Sequence, residues 1–147
     1  MKPIQINLRE LSNAMEDGNG FEVEWWLDRR TGDVFPIFGD EFDVPEEQEE
    51  VVKQMHKDPD RYLLVPQFDS SIGFRFMEDF NLSLPEGEAR RSLERALRLP
   101  KPFRSFKDTL LDFGDMRERW FAYHDERLDQ VAREFLDREK IEYEAKP

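Results

Sequence analysis

His56 and His124 are the side chains best suited to moving a proton near neutral pH, because imidazole alone titrates there without being perturbed. They fall in different predicted helices with no His-x-x-x-His spacing, whereas a catalytic zinc needs three protein ligands around an open position. The 147 residues include no cysteine, which removes thiolate ligands, thiol nucleophiles and disulfides; no metal and no cofactor is expected. His124 lies within an apolar stripe. As a general base it would draw on Arg127 one turn on and on Asp108 or Asp112, but no nucleophile motif accompanies it, and a packed imidazole hydrogen-bonded to a neighbour is the simpler expectation.

Carboxylates are abundant, yet no pair stands out as the acid and base of glycoside hydrolysis. Asp40-Glu41-x-Asp43 gathers hard oxygen ligands suited to calcium, but its spacing and the following Pro45 do not build a twelve-residue EF-hand loop. Gly18-Asn19-Gly20 is too short to cradle phosphates and lacks the Lys-Ser/Thr that should follow, and no Gly-x-Ser-x-Gly elbow presents a nucleophile. No catalytic residue is assigned.

The cations are better organised. Arg91, Arg95 and Arg98, four and three apart, share one face of a predicted helix, with Lys101, Arg104 and Lys107 close behind. The chain as a whole carries a net charge of -12, and residues 1–85 hold 19 acids against 8 bases while residues 86–147 hold 15 against 14. Such a charge separation steers charged partners. A protein partner or anion is therefore the expected ligand of Arg91, Arg95, Arg98, Arg104 and Lys107, weighed against a plain solvated face answered by the chain's own acids. Nucleic acid on residues 90–107 is a third use, and the overall acidity argues against it. Adjacent Trp25 and Trp26 point to opposite faces of a strand, so one enters the core; Trp26 joins the binding candidates as an aromatic anchor.

Short elements must position these groups. Asn7 with Glu10 suggests a helix cap before Leu8, Leu11 and Met15, with Gly18-Asn19-Gly20 as the stop. Phe21, Val23, Trp25 and Leu27 alternate with polar positions, Arg30-Thr31-Gly32-Asp33 turns the chain, and 34–38 returns as a hairpin. Tyr62-Leu63-Leu64-Val65-Pro66 supplies a third strand, since two are marginal alone. Pro45 opens a helix with acidic first turns and Val51, Val52 and Met55 inside; Asp69 caps another that carries Ile72, Phe76, Met77 and Phe80 inward. A loop over 81–87 follows. Beyond it Ala89, Leu93, Ala96 and Leu97, then Phe103, Phe106, Leu110 and Phe113, then Trp120, His124, Leu128, Val131 and Phe135 mark three helices, the last over 116–140.

Several of these segments resemble an uncharacterised bacterial protein family, number 0158 in the UPF series. The resemblance rests on Trp26-Leu27-Asp28 with Thr31-Gly32-Asp33-Val34, on 62–66 leading to Met77-Glu78-Asp79-Phe80, and above all on Leu93 to Ala96 followed by Phe103-Arg104-Ser105-Phe106-Lys107-Asp108 and Arg119-Trp120-Phe121. Leu99-Pro100-Lys101-Pro102 replaces a smaller, glycine-containing connection, and Phe135-Leu136 replaces a Trp-Leu pair. The resemblance implies a fold and no activity.

Together these observations predict one α+β domain over 1–147, with a helix, hairpin, helix and strand in 1–82 and an all-helical part over 86–141. A small antiparallel sheet of about three strands is covered by helices. Residues 1–7 lack an apolar signal core and no run approaches the roughly 20 residues of a membrane span, so a cytoplasmic setting without membrane contact is expected. The expected role is a non-catalytic binding or regulatory module working through protein contacts. A small hydrolase or transferase centred on His124 is the alternative.

Overall fold

The computed structural model describes residues 3–16, 23–39 and 44–146, and the stop at Gly18-Asn19-Gly20, the start of the hairpin at Phe21 and the acids Asp40, Glu41 and Asp43 lie outside them. Strand β1 (Ile4–Ile6) leads into helix α1 (Leu8–Glu16), β2 (Val23–Asp28) and β3 (Val34–Phe38). A 3-10 turn (Glu46–Gln48) precedes α2 (Glu49–Lys57), and β4 (Tyr62–Leu64) follows. The remaining elements are α3 (Ser70–Ser83), α4 (Glu88–Leu97), α5 (Pro102–Leu110), α6 (Met116–Arg138) and β5 (Tyr143–Ala145). This is an α+β fold with a helical C-terminal half. The chain separates into two compact units, residues 1–68 with 129–147, and residues 69–128.

In the first unit β2 is central, pairing antiparallel with β3 on one side and β4 on the other. Its alternation sends neighbouring side chains to two different cores. Leu27 and Trp25 pack with Leu8, Leu11 and Met15 of α1 and with Ala132, Phe135 and Leu136 of α6. Trp26 faces the other way, against Ile37, Met55 and Tyr62. Both tryptophans are half-buried. Helix α1 starts where expected: Asn7 Oδ1 accepts from the Glu10 amide at 3.1 Å, and at its other end Gln67 Nε2 and the Phe68 amide donate to the carbonyls of Ala14 and Met15. Buried Ser12 donates to the Arg9 carbonyl and to Asp129 Oδ1, so its hydroxyl is satisfied without water.

A second sheet was not anticipated. Strands β1 and β5 pair in parallel, Ile4 opposite Tyr143 and Ile6 opposite Ala145, joining segments from opposite ends of the sequence. The hairpin turn backs onto this pair. Gly32 sits at φ +86°, and a Cβ there would lie 2.1 Å from the Gln5 carbonyl oxygen, so both the backbone conformation and the approach require glycine.

The second unit is helical, and its centre is aromatic. Phe80 of α3, Phe106 of α5 and Trp120 of α6 meet edge to face, with centroids 5.1 to 6.4 Å apart. All three rings are buried. Asp69 caps α3 by accepting from the Ser71 amide, and Gly73 lets Phe103 close on that helix, since a Cβ there would stand 3.3 Å from the ring. The inner faces of α4 and α5 are Leu93 with Ala96 and Phe106 with Leu110.

Three local expectations are corrected. Helix α3 continues through Ser83, burying Asn81 where a loop was expected, because Phe76, Met77, Phe80 and Asn81 keep one inward stripe to the end. Ile72 and Val51, expected inside, are exposed at the edges of their helices' apolar faces. The acidic turn after Pro45 is 3-10 before it becomes α.

Candidate functional site

The predicted cations stand on the outer faces of two packed helices. On α4, Arg91 and Arg95 are exposed opposite buried Leu93 and Ala96, and Arg98 continues their line as the exposed residue closing the helix. On α5, Arg104 and Lys107 are exposed opposite buried Phe106 and Leu110. The family-like Phe-Arg-Ser-Phe-Lys-Asp stretch therefore has two functions separated by helical phase: its second phenylalanine belongs to the aromatic core, its charges to the surface. Residues 88–108 carry seven cations and three acids.

Internal pairing answers only part of this charge. Arg98 Nη2 reaches Glu94 Oε1 at 2.9 Å and Arg104 Nε lies 3.9 Å from Asp108 Oδ2, both pairs within one helix and both well exposed. Arg95 donates to the neutral Ser92 hydroxyl, and Arg90 turns back to the Leu84 carbonyl. Arg91, Lys101 and Lys107 have no ion-pair partner among the described residues. Lys101 is the oddest member. Held between two prolines at the N-cap of α5 with φ 55°, it occupies the left-handed region, which costs a non-glycine residue about 1–2 kcal/mol.

His124 is packed among rings. Its centroid lies 5.4 Å from Trp120 and 6.5 Å from Phe76, and Nδ1 is 3.3 Å from Asp125 Oδ1. Arg127 sits over Phe76 at 4.7 Å, donates to the Tyr123 hydroxyl and reaches Asp79 Oδ2 at 3.3 Å. The structure thus brings His124 and Arg127 to opposite uses of one Phe76 ring, while Asp108 is drawn to Arg104 on an exposed face and Asp112 is exposed. Among the described residues, no three His, Asp or Glu side chains gather as metal ligands would, and no helix is long and apolar enough to cross a membrane.

Trp26 belongs to the other unit, where it packs with Phe35, Val52, Met55 and Tyr62, its Nε1 buried without a hydrogen-bond partner among the described residues. Sequence reasoning missed the most ordered charge in that unit, Asp28. Its carboxylate takes two hydrogen bonds from Arg61, at 2.9 and 2.7 Å, and a third from the Arg30 amide at 2.9 Å. Burial pushes the Asp28 carboxyl up, but the Arg61 and backbone donors outweigh it and hold the group below its ordinary value of 3.8. Arg61 also lies over the Tyr62 ring at 5.2 Å. The available signal was an acid two residues before the hairpin turn and an arginine one residue before the third strand.

Comparison with known proteins gives a family and no chemistry. The model of an uncharacterised protein family, UPF0158, matches residues 1–146. UPF0158 protein PA5073 of Pseudomonas aeruginosa strain PAO1 is 28% identical over 142 residues, covering 97% of this chain and 88% of the relative. No solved structure matches the chain.

Proposed function

Since the chain belongs to UPF0158, an uncharacterised protein family whose membership carries no activity, we propose that it is a non-catalytic cytoplasmic binding or regulatory module whose α4 and α5 cations engage an acidic protein surface. The observation that supports this is the incomplete internal answer to the charge of residues 88–108: among the described residues Arg91, Lys101 and Lys107 have no ion-pair partner, and the pairs at Arg98 and Arg104 are exposed and exchangeable. Exposed pairs of this kind contribute roughly 0–1 kcal/mol, so a partner's carboxylates displace them at little cost. The Lys101 conformation supports the same reading, because backbone strain is retained where a side chain has to be aimed.

A hydrolase or transferase centred on His124 has less support. Its ring is held by Trp120 and Phe76, and Arg127 is already shared among Phe76, Tyr123 and Asp79. The test is affinity capture from bacterial lysate by the wild type and by the folded Arg91→Glu, Arg95→Glu, Arg98→Glu triple variant. Loss of specific protein partners in the variant supports the proposal; retention of every partner removes the basic face from it. A parallel titration with single-stranded oligonucleotide separates the two classes of acidic partner: tight binding that falls steeply with salt would assign the face to nucleic acid instead.

A further inference from the structure

We infer that Gln48 is a built-in substitute strand that closes the outer edge of β3 and keeps the sheet from pairing with another chain. Among the described residues β3 pairs with β2 alone, so its other side is an edge. An edge strand offers a row of unmade backbone hydrogen bonds and is a template for association unless something blocks it.

Two features block this edge. The Gln48 side-chain amide donates to the Pro36 carbonyl at 2.7 Å and accepts from the Phe38 amide at 2.8 Å. These two groups flank Ile37, and one residue of a parallel neighbouring strand would bond to the same pair. A single primary amide therefore reproduces the contact that an incoming peptide would make. Pro36 is the second block: lacking an N–H, it is tolerated only because its position faces away from β2, and it withholds a donor from that edge. Gln48 stands on a 3-10 turn opened by Pro45, whose carbonyl accepts from the Gln48 amide, so the device depends on that turn as well as on the side chain. Phe38, partly exposed at the strand's end, would be the first apolar contact for an adding strand.

This inference stands apart from the basic face and needs no partner protein. Gln48→Met keeps the length and volume of the side chain while deleting both hydrogen bonds, and Gln48→Ala deletes the chain itself. In each variant hydrogen exchange at the Phe38 amide should accelerate roughly tenfold or more, with Ile37, whose groups the antiparallel alternation turns toward β2, unchanged. Sedimentation velocity over a concentration series should show self-association beyond that of the wild type, and adding Phe38→Lys to Gln48→Met should reverse it. Unchanged Phe38 exchange in the folded Gln48→Met protein overturns the inference, and so does faster exchange without added association, which would reduce Gln48 to a local cap.

Discussion

The Asp28–Arg61 corner and the α4–α5 face use charge in opposite ways. At the corner, one carboxylate and one guanidinium are nearly enclosed, joined by two short hydrogen bonds and fixed to the backbone through Arg30 and to an aromatic ring through Tyr62. On the face, arginines and lysines stand in solvent, and among the described residues their ion pairs are confined to their own helix, at Arg98 and Arg104. An enclosed pair cannot exchange partners without leaving a buried charge unpaired, so breaking it is costly. An exposed cation loses little by exchanging its partner. The difference assigns the first region to structure and is the contrast on which the recognition proposed for the second depends.

Breaking the corner should have the largest effect. Arg61→Ala leaves the Asp28 carboxylate enclosed and short of two donors, and its thermal midpoint should fall further than for any other change considered below. Asp28→Asn should also destabilise, with a diagnostic pH dependence. The native carboxyl is held below its unfolded value, so its contribution is complete above about pH 5 and fades as the pH falls through 3.8 and the depressed native value. Denaturant titrations of the two proteins should therefore differ at pH 7 and converge on acidification. Convergence on raising the pH would contradict the assignment.

Gly32→Ala follows in size. Its amide donates to the Asp28 carbonyl, so it belongs to the same corner, and the left-handed backbone alone costs about 1–2 kcal/mol before the clash with Gln5 is relieved. The face should respond weakly. Reversing Arg91 and Lys107 to Glu should shift stability by no more than about 0.5 kcal/mol each, as surface changes away from packed features do. The Arg98–Glu94 coupling is expected on the same small scale, about 0.3–0.5 kcal/mol in a double-mutant cycle and lower in high salt. A cost of several kcal/mol at Arg91 would erase the contrast between the two regions.

What the sequence disclosed follows the range of the interactions. The Asn7 and Asp69 caps, the hairpin turn and the outward phase of Arg91, Arg95 and Arg98 are decided within a few residues, and each was legible. The parallel β1–β5 pair joins three-residue strands from the two ends of the chain, too short to show a period and too distant to show a turn. Gln48 was invisible for a related reason: its sequence context is an acidic helix start, and only the return of the chain to β3 reveals its amide as an edge partner. Asn81 was misread because its polar side chain precedes Pro85 and Gly87, while the apolar stripe of α3 carries it into the interior. For the candidate site, the exposure of its cations was legible and their pairing among the described residues was not, since pairing depends on where the acids fold.

The most direct test of the central claim is the fraction of specific protein partners captured by the Arg91→Glu, Arg95→Glu, Arg98→Glu variant, at matched fold and stability, relative to the wild type. The account predicts that those partners are lost while the thermal midpoint barely moves. Full retention of the partners, or their loss only together with unfolding, would contradict it.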